Sequence, residues 1–189
     1  MNIIVRPYGS DLCYCRPDTT WERENRDFYS PECVNEISWT PIVFVRICKA
    51  GKCIGAKFAE RYYDAAGCGI LMYCNDAEMA FSSCVDHTSI LPYPLEGPEI
   101  FGQAEAVFTV TGKTGRNCAD ERSYSINGKA KDLIHDAICR ASRLTSLRIG
   151  DHIAVELDTS VPLASRKDGE AEVKGSFCGR DTFDFKIIF

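Results

Sequence analysis

The stretch SWTPIVFVRICKAGKCI, Ser38–Ile54, decides the fold class. β-Branched and aromatic residues crowd it, and such side chains suit a pleated, half-buried surface. It reads as a long strand run, broken at Ala50-Gly51 into a hairpin. Upstream, Asn2–Val5 reads as a first strand and LCYCRPD (Leu12–Asp18) as a second, ended by Pro17. TTWERENRDFYSPE is polar and turn-rich. Downstream, KFAERYYDAA (Lys57–Ala66) has helical spacing, with Phe58, Tyr62 and Ala65 on one face. Gly67 and Gly69 are expected to end that helix, and GILMYC (Gly69–Cys74) reads as a buried strand.

The second half continues the pattern. Ser89–Gly97 is proline-rich and reads as a surface loop, while QAEAVFTVTGKTG (Gln103–Gly115) alternates apolar and polar like a half-buried strand. Lys131–Leu147 predicts a helix: Leu133, Ile134, Ala137, Ile138, Ala141 and Leu144 form one apolar stripe behind Asn127-Gly128. LRIGDHIAVEL predicts a turn and a strand, and the C-terminal Glu170–Phe189 predicts two strands around Gly179. The expectation is a mostly β chain with two helices (α+β), a mixed sandwich or roll forming one domain over residues 1–189. No repeat, low-complexity tract or linker divides it.

Composition bounds the partners. The chain is 45% hydrophobic and 26% charged with a net charge of −5, so a phosphate backbone is a poor match. No stretch approaches the roughly 18 apolar residues that a membrane span needs. MNIIVRPYGSD lacks the basic and long apolar regions of a signal peptide, so a cytoplasmic protein is expected. Eleven cysteines are spread along the chain. Without an export signal they read as reduced, and no pair has the tight two-residue spacing of a zinc ribbon.

The order of these segments resembles the C-terminal catalytic fold of the fumarylacetoacetate hydrolase family. The resemblance runs from about Leu12 to the C-terminus and is carried by RPDTT (Arg16–Thr20), FYSPECVNEISW (Phe28–Trp39), FVRICKAGKCI (Phe44–Ile54), KFAERYYD (Lys57–Asp64), LRIGDHI (Leu147–Ile153) and the closing DTFDFKIIF (Asp181–Phe189). It implies acylpyruvate-type hydrolase or isomerase chemistry around Mg²⁺ or Ca²⁺, held by a Y-E-x-E strand and an aspartate from a G-I-D-F-T-A-R-D strand. Strand residues i and i+2 share a face, so two such acids can grip one ion.

Aligned on the family pattern, Y-E-x-E becomes Trp39-Thr40-Pro41-Ile42 and the aspartate becomes Leu71. A Thr, an Ile and a Leu offer no set of oxygen ligands for a hard cation. The family's active-site lysine falls on Met79, its T-A-R-D arginine on Asn75, and its substrate-binding T-G-T-P turn on Val155–Asp158. The lid carrying a His–Glu pair has no counterpart ahead of LCYCRPD.

The expectation is therefore a non-catalytic binding or scaffolding protein without a metal cofactor. It would be a homodimer or a heteromer with an active relative, with a small-molecule ligand held in a pocket walled by Thr40, Ile42, Leu71, Asn75 and Met79. The alternative is a hydrolase or isomerase acting on oxo-acids with rearranged groups. Asp76, Glu78, Asp86 and His87 read as a solvated loop, His135 and His152 as structural, and Cys74 as a small strand residue.

Overall fold

A computed structural model describes residues 1–75, 81–114 and 120–189. Its strands are β1 (Ile3–Arg6), β2 (Tyr14–Arg16), β3 (Trp21–Glu22), β4 (Phe28–Tyr29), β5 (Glu36–Ile47), β6 (Tyr63–Cys74), β7 (Ser89–Ile90), β8 (Val107–Thr114) and β9 (Asp120–Ser125). A single α-helix among the described residues, α1 (Gly128–Leu144), precedes β10 (His152–Glu156), β11 (Val161–Ser165), β12 (Glu170–Phe177) and β13 (Arg180–Ile188).

One sheet runs β2-β1-β10-β5-β6-β7-β3, with β11 also pairing to β5, and the other runs β4-β13-β12-β8-β9. Both are mixed: β1/β10, β3/β7 and β4/β13 are parallel and the remaining pairs antiparallel. The mostly β, two-sheet architecture expected from the sequence is present.

The long strand at the centre explains the apolar run. β5 buries both faces, which is why it reads as nearly continuous hydrophobics. Ile37, Trp39, Val43, Val45 and Ile47 point into the main core, shared with α1 and the second sheet. Ile42 and Phe44 point the other way, into a smaller cluster with Ile3, Val5, Leu71 and Ala154.

Pro41 is tolerated in this central strand because of where pairing switches. β10 pairs with Ile42–Arg46 and β11 with Glu36–Trp39, so the missing Pro41 N–H faces the gap between them. The Pro41 carbonyl accepts from Leu157 N at 2.9 Å, and Thr40 Oγ1 donates to Asp158 O at 2.8 Å, closing that gap.

Three local expectations change. The hairpin expected at Ala50-Gly51 is not formed: β5 ends at Ile47, and its partner is β6, reached through residues 48–62. The first helical segment is a 3₁₀ helix, Ala56–Tyr62, and Tyr63–Ala66 already belong to β6. Gly67 and Gly69 lie inside that strand, where they permit close approach. A Cβ on Gly69 would sit 2.0 Å from Ile90 O, and one on Gly67 would sit 2.8 Å from the Phe44 ring.

The proline-rich segment also begins as strand β7, with Ile90 and Leu91 buried. The long helix starts and stops about a turn earlier than expected, capped by Asn127, whose side chain accepts from Lys129 N. Ala130, Ile134, Ala137, Ile138 and Ala141 face the core, whereas Leu144 is exposed.

Candidate functional site

Register places the three aligned positions together. Thr40 and Leu71 are direct cross-strand partners, and Ile42 lies two residues from Thr40, opposite Gly69. Alternation therefore puts Thr40, Ile42 and Leu71 on one face of the first sheet. All three are fully buried. Ile42 and Leu71 belong to the smaller apolar cluster, onto which the rings of Tyr14 and Tyr73 pack.

These residues do not fit a divalent ion. They supply one hydroxyl and two hydrocarbon side chains, and the hydroxyl hydrogen is already committed to Asp158 O. Among the described residues, no group of three or more His, Cys, Asp or Glu side chains could hold a metal.

The polar chemistry of this face lies one cross-strand pair further out, at Ser38 opposite Tyr73. There a cleft of about 680 Å³ opens, lined in part by Pro7, Tyr14, Tyr73, Asn75 and Glu156. Tyr73 donates its hydroxyl to Glu156, whose other carboxylate oxygen accepts from Tyr8 N at 2.9 Å. The hydroxyls of Tyr14 and Tyr73 are 2.6 Å apart. Burial pushes both phenols up from their ordinary range, and the nearby Glu156 charge adds to it. Across the cleft Ser38 Oγ donates to Asn75 Oδ1 at 2.9 Å.

Arg16 lies beside this chain but outside the lining. Its guanidinium is 1% exposed and stands 5.2 Å from the Tyr73 ring centroid. It donates to Ser83 O (2.7 Å), Met72 O (2.8 Å) and Thr88 Oγ1 (2.9 Å). Those bonds tie β2 to the far side of β6, a packing role for the first residue of RPDTT.

Of the expected pocket wall, Asn75 lines the cleft and Thr40, Ile42 and Leu71 lie buried on the same face; Met79 is outside the described residues, as are Asp76 and Glu78. His87 Nδ1 lies 3.1 Å from the buried Glu22 carboxylate in a separate surface depression. His135 Nε2 meets Tyr63 Oη at 3.0 Å, and burial pushes that phenol to about 12. His152 is the first residue of β10 rather than part of a turn, buried between Trp21 and Phe44. Cys74 is fully buried in β6.

Sequence reasoning passed over Tyr14, Tyr73 and Glu156. Glu156 was inside the segment read as a lost substrate turn. Tyr73 sits two residues beyond Leu71, so strand alternation already placed it on the same face. Only the pairing of β1 with both β2 and β10 brings Tyr14 and Glu156 across to it.

No family model matches the chain, and no curated protein does. Solved structures match over almost its whole length. A protein assigned to the fumarylacetoacetate hydrolase family in Yersinia pestis has TM-score 0.76 at 14% identity, covering 99% of this chain and 92% of that one. Fumarylpyruvate hydrolase from Pseudomonas aeruginosa, solved with Mn²⁺ and pyruvate, has TM-score 0.74 at 12% identity, covering 100% and 90%. 2-Hydroxyhepta-2,4-diene-1,7-dioate isomerase from Mycobacterium marinum has TM-score 0.74 at 12% identity, covering 99% and 74%. The fold is that of the fumarylacetoacetate hydrolase family. No helix among the described residues is long and apolar enough to cross a membrane.

Proposed function

We propose that this chain is a non-catalytic binding protein built on the fumarylacetoacetate hydrolase fold, acting as a dimer with itself or with an active relative. One observation carries the reading. The positions aligned with the metal-binding acids, Thr40, Ile42 and Leu71, share a face, are fully buried, and place two hydrocarbon side chains in an apolar cluster. Stabilisation of developing oxyanion charge is a large part of such catalysis, and this floor has nothing with which to supply it. The cleft above it retains the size of a small-molecule site.

A second reading has one observation in its favour. The Tyr14–Tyr73–Glu156 hydrogen-bond chain could move a proton, which an oxo-acid hydrolase or isomerase with rearranged groups would need. Acetopyruvate offered with Mg²⁺ or Mn²⁺ separates the two. Loss of its enol absorbance should not exceed the protein-free rate, and isothermal titration should show no metal site tighter than about millimolar. Turnover that disappears in Glu156→Gln would establish the enzyme reading instead.

A further inference from the structure

We propose that the cleft takes an organic cation, an amine or guanidinium compound, where its structural neighbours' fold would suggest an oxo-acid. The proposal rests on the binding-protein reading above and names the ligand class for the same face. Hydrogen-bond direction is the main argument. Tyr73 has one hydroxyl hydrogen and gives it to Glu156. Tyr14 must therefore donate to Tyr73 across their 2.6 Å contact, which leaves only lone pairs on the Tyr14 oxygen.

Glu156 accepts two bonds within the protein, from Tyr73 and from Tyr8 N, and a carboxylate has about four acceptor sites. Ser38 gives its hydrogen to Asn75 Oδ1, so its oxygen too faces outward as an acceptor. Among the groups whose hydrogens are already placed, the wall thus presents three acceptors, on Glu156, Tyr14 and Ser38, against one donor, the Asn75 amide nitrogen, while the hydroxyls of Ser82, Ser83 and Ser160 on the same lining can serve either way.

Charge points the same way. No Lys, Arg or His is among the described lining residues, and Glu156 is the one formal charge there. Arg16 contributes its field from beside the Tyr73 ring, 5.2 Å from that centroid; its Nε and Nη2 donate to Ser83, Met72 and Thr88, and its Nη1 is buried without a partner among the described residues and outside the lining. A ligand at hydrogen-bonding range of Glu156 meets the nearer charge more strongly, because the interaction falls with distance. A carboxylate placed beside Glu156 would give up its water bonds for a like charge and the Tyr14 and Ser38 lone pairs, with only neutral donors of Asn75 and the lining serines to replace them. An ammonium brings three donors and a guanidinium five, and no acceptor. Pro7, Val161 and Pro162 supply an apolar rim for the body of such a molecule.

Agmatine, which carries both cationic groups, and acetopyruvate serve as opposed probes in isothermal titration. Agmatine should bind saturably while acetopyruvate gives no heat beyond dilution. Glu156→Gln, which still accepts from Tyr73, should weaken agmatine at least tenfold, equivalent to about 1.4 kcal/mol. Tyr14→Phe removes one acceptor without touching the Tyr73–Glu156 bond and should weaken agmatine two- to fivefold, about 0.5–1 kcal/mol for a single hydrogen bond. If the Glu156 variant fails to fold, the Tyr14 variant and the wild-type preference between the probes decide the matter.

Acetopyruvate binding without agmatine binding overturns the proposal. So does silence from agmatine up to about 10 mM, well beyond a fragment-like millimolar affinity, or agmatine binding unchanged in both variants. Acetopyruvate turnover in the same samples would overturn the non-catalytic reading alone, since the cation preference is judged by the titrations.

Discussion

His152 should make this protein acid-sensitive, in a window that the structure defines. The side chain begins β10, is 1% exposed, and packs between Trp21 (5.1 Å between ring centroids) and Phe44 (5.8 Å). Neither ring nitrogen finds a hydrogen-bond partner among the described residues. Desolvation by burial disfavours the imidazolium, and the Arg46 charge from the paired position on β5 adds to it. Asp151 opposes them only weakly, being the last of the three causes. The folded-state pKa falls from 6.5 to about 4.

The sign follows from proton binding. Above pH 6.5 the ring is neutral in both folded and unfolded chains and contributes no pH dependence. Below it the unfolded chain takes up a proton that the folded chain refuses, so stability falls as pH falls. One pKa unit corresponds to about 1.4 kcal/mol. The loss is therefore about 2 kcal/mol at pH 5 and approaches about 3 kcal/mol near pH 4, where the folded ring itself begins to titrate.

The assay is urea unfolding at several pH values from 8 to 5, comparing wild type with His152→Leu. Lost ring contacts shift the variant by a constant, so the informative quantity is the difference between the two curves as pH changes. That difference should move by about 2 kcal/mol in favour of the variant between pH 7.5 and pH 5. Parallel curves would refute the reasoning, because they would mean that the folded ring accepts its proton as readily as the unfolded one.

Three other outcomes are expected. Gly69→Ala should destabilise the protein by about 2–3 kcal/mol in denaturant titration, because the new Cβ meets Ile90 O at 2.0 Å and backbone must move. Light scattering of the protein expressed alone should give twice the 21.1 kDa chain mass; a micromolar monomer would redirect the search to an obligate heteromeric partner. Restoring acids together (Thr40→Glu, Ile42→Glu, Leu71→Asp) should lower the melting temperature without metal, since like charges then converge in a buried site. Added Mn²⁺ should recover part of that loss by binding only the folded state; no recovery would mean that these positions do not converge on a common point.

What was legible in the sequence followed from apolar periodicity and alternation. β5 stood out because both of its faces are buried, and β12/β13 because Gly179 turns between alternating strands. The apolar stripe of α1 was legible from Ile134 to Ala141, but its start was read at Lys131, because the cap that Asn127 gives Lys129 N was not weighed. The misreadings have physical causes too. Gly67 and Gly69 looked like a stop signal, but their role is close approach to Phe44 and Ile90, which only tertiary structure creates. Phe58, Tyr62 and Ala65 mimicked a helical face where a 3₁₀ turn gives way to strand at Tyr63. Strands as short as β3, β4 and β7 exist through pairing with strands distant in sequence, β3 with β7, β4 with β13 and β7 with β6, and carry no period of their own. The cleft was legible only at Asn75, since Tyr14, Tyr73 and Glu156 come from β2, β6 and β10 and meet through pairing.

The apolar floor and the acceptor wall are two parts of one packing arrangement. Ile42 and Leu71 have no use for water or an ion, so they are best covered by rings, and Tyr14 and Tyr73 lie over their cluster. A tyrosine laid on an apolar surface must send its hydroxyl to a polar partner. Here the hydroxyls meet each other and Glu156, the last residue of β10, after which residues 157–160 interrupt pairing with β5 until β11 resumes it. That interruption lies opposite Pro41, which has no N–H to offer a strand passing straight through. The polar layer thus moves outward by one same-face step, two residues or about 7 Å along the strand. A hydrocarbon floor alone would leave a dead pocket. Capped by tyrosines whose hydrogens all run toward one carboxylate, it leaves a cleft whose outward face accepts hydrogen bonds.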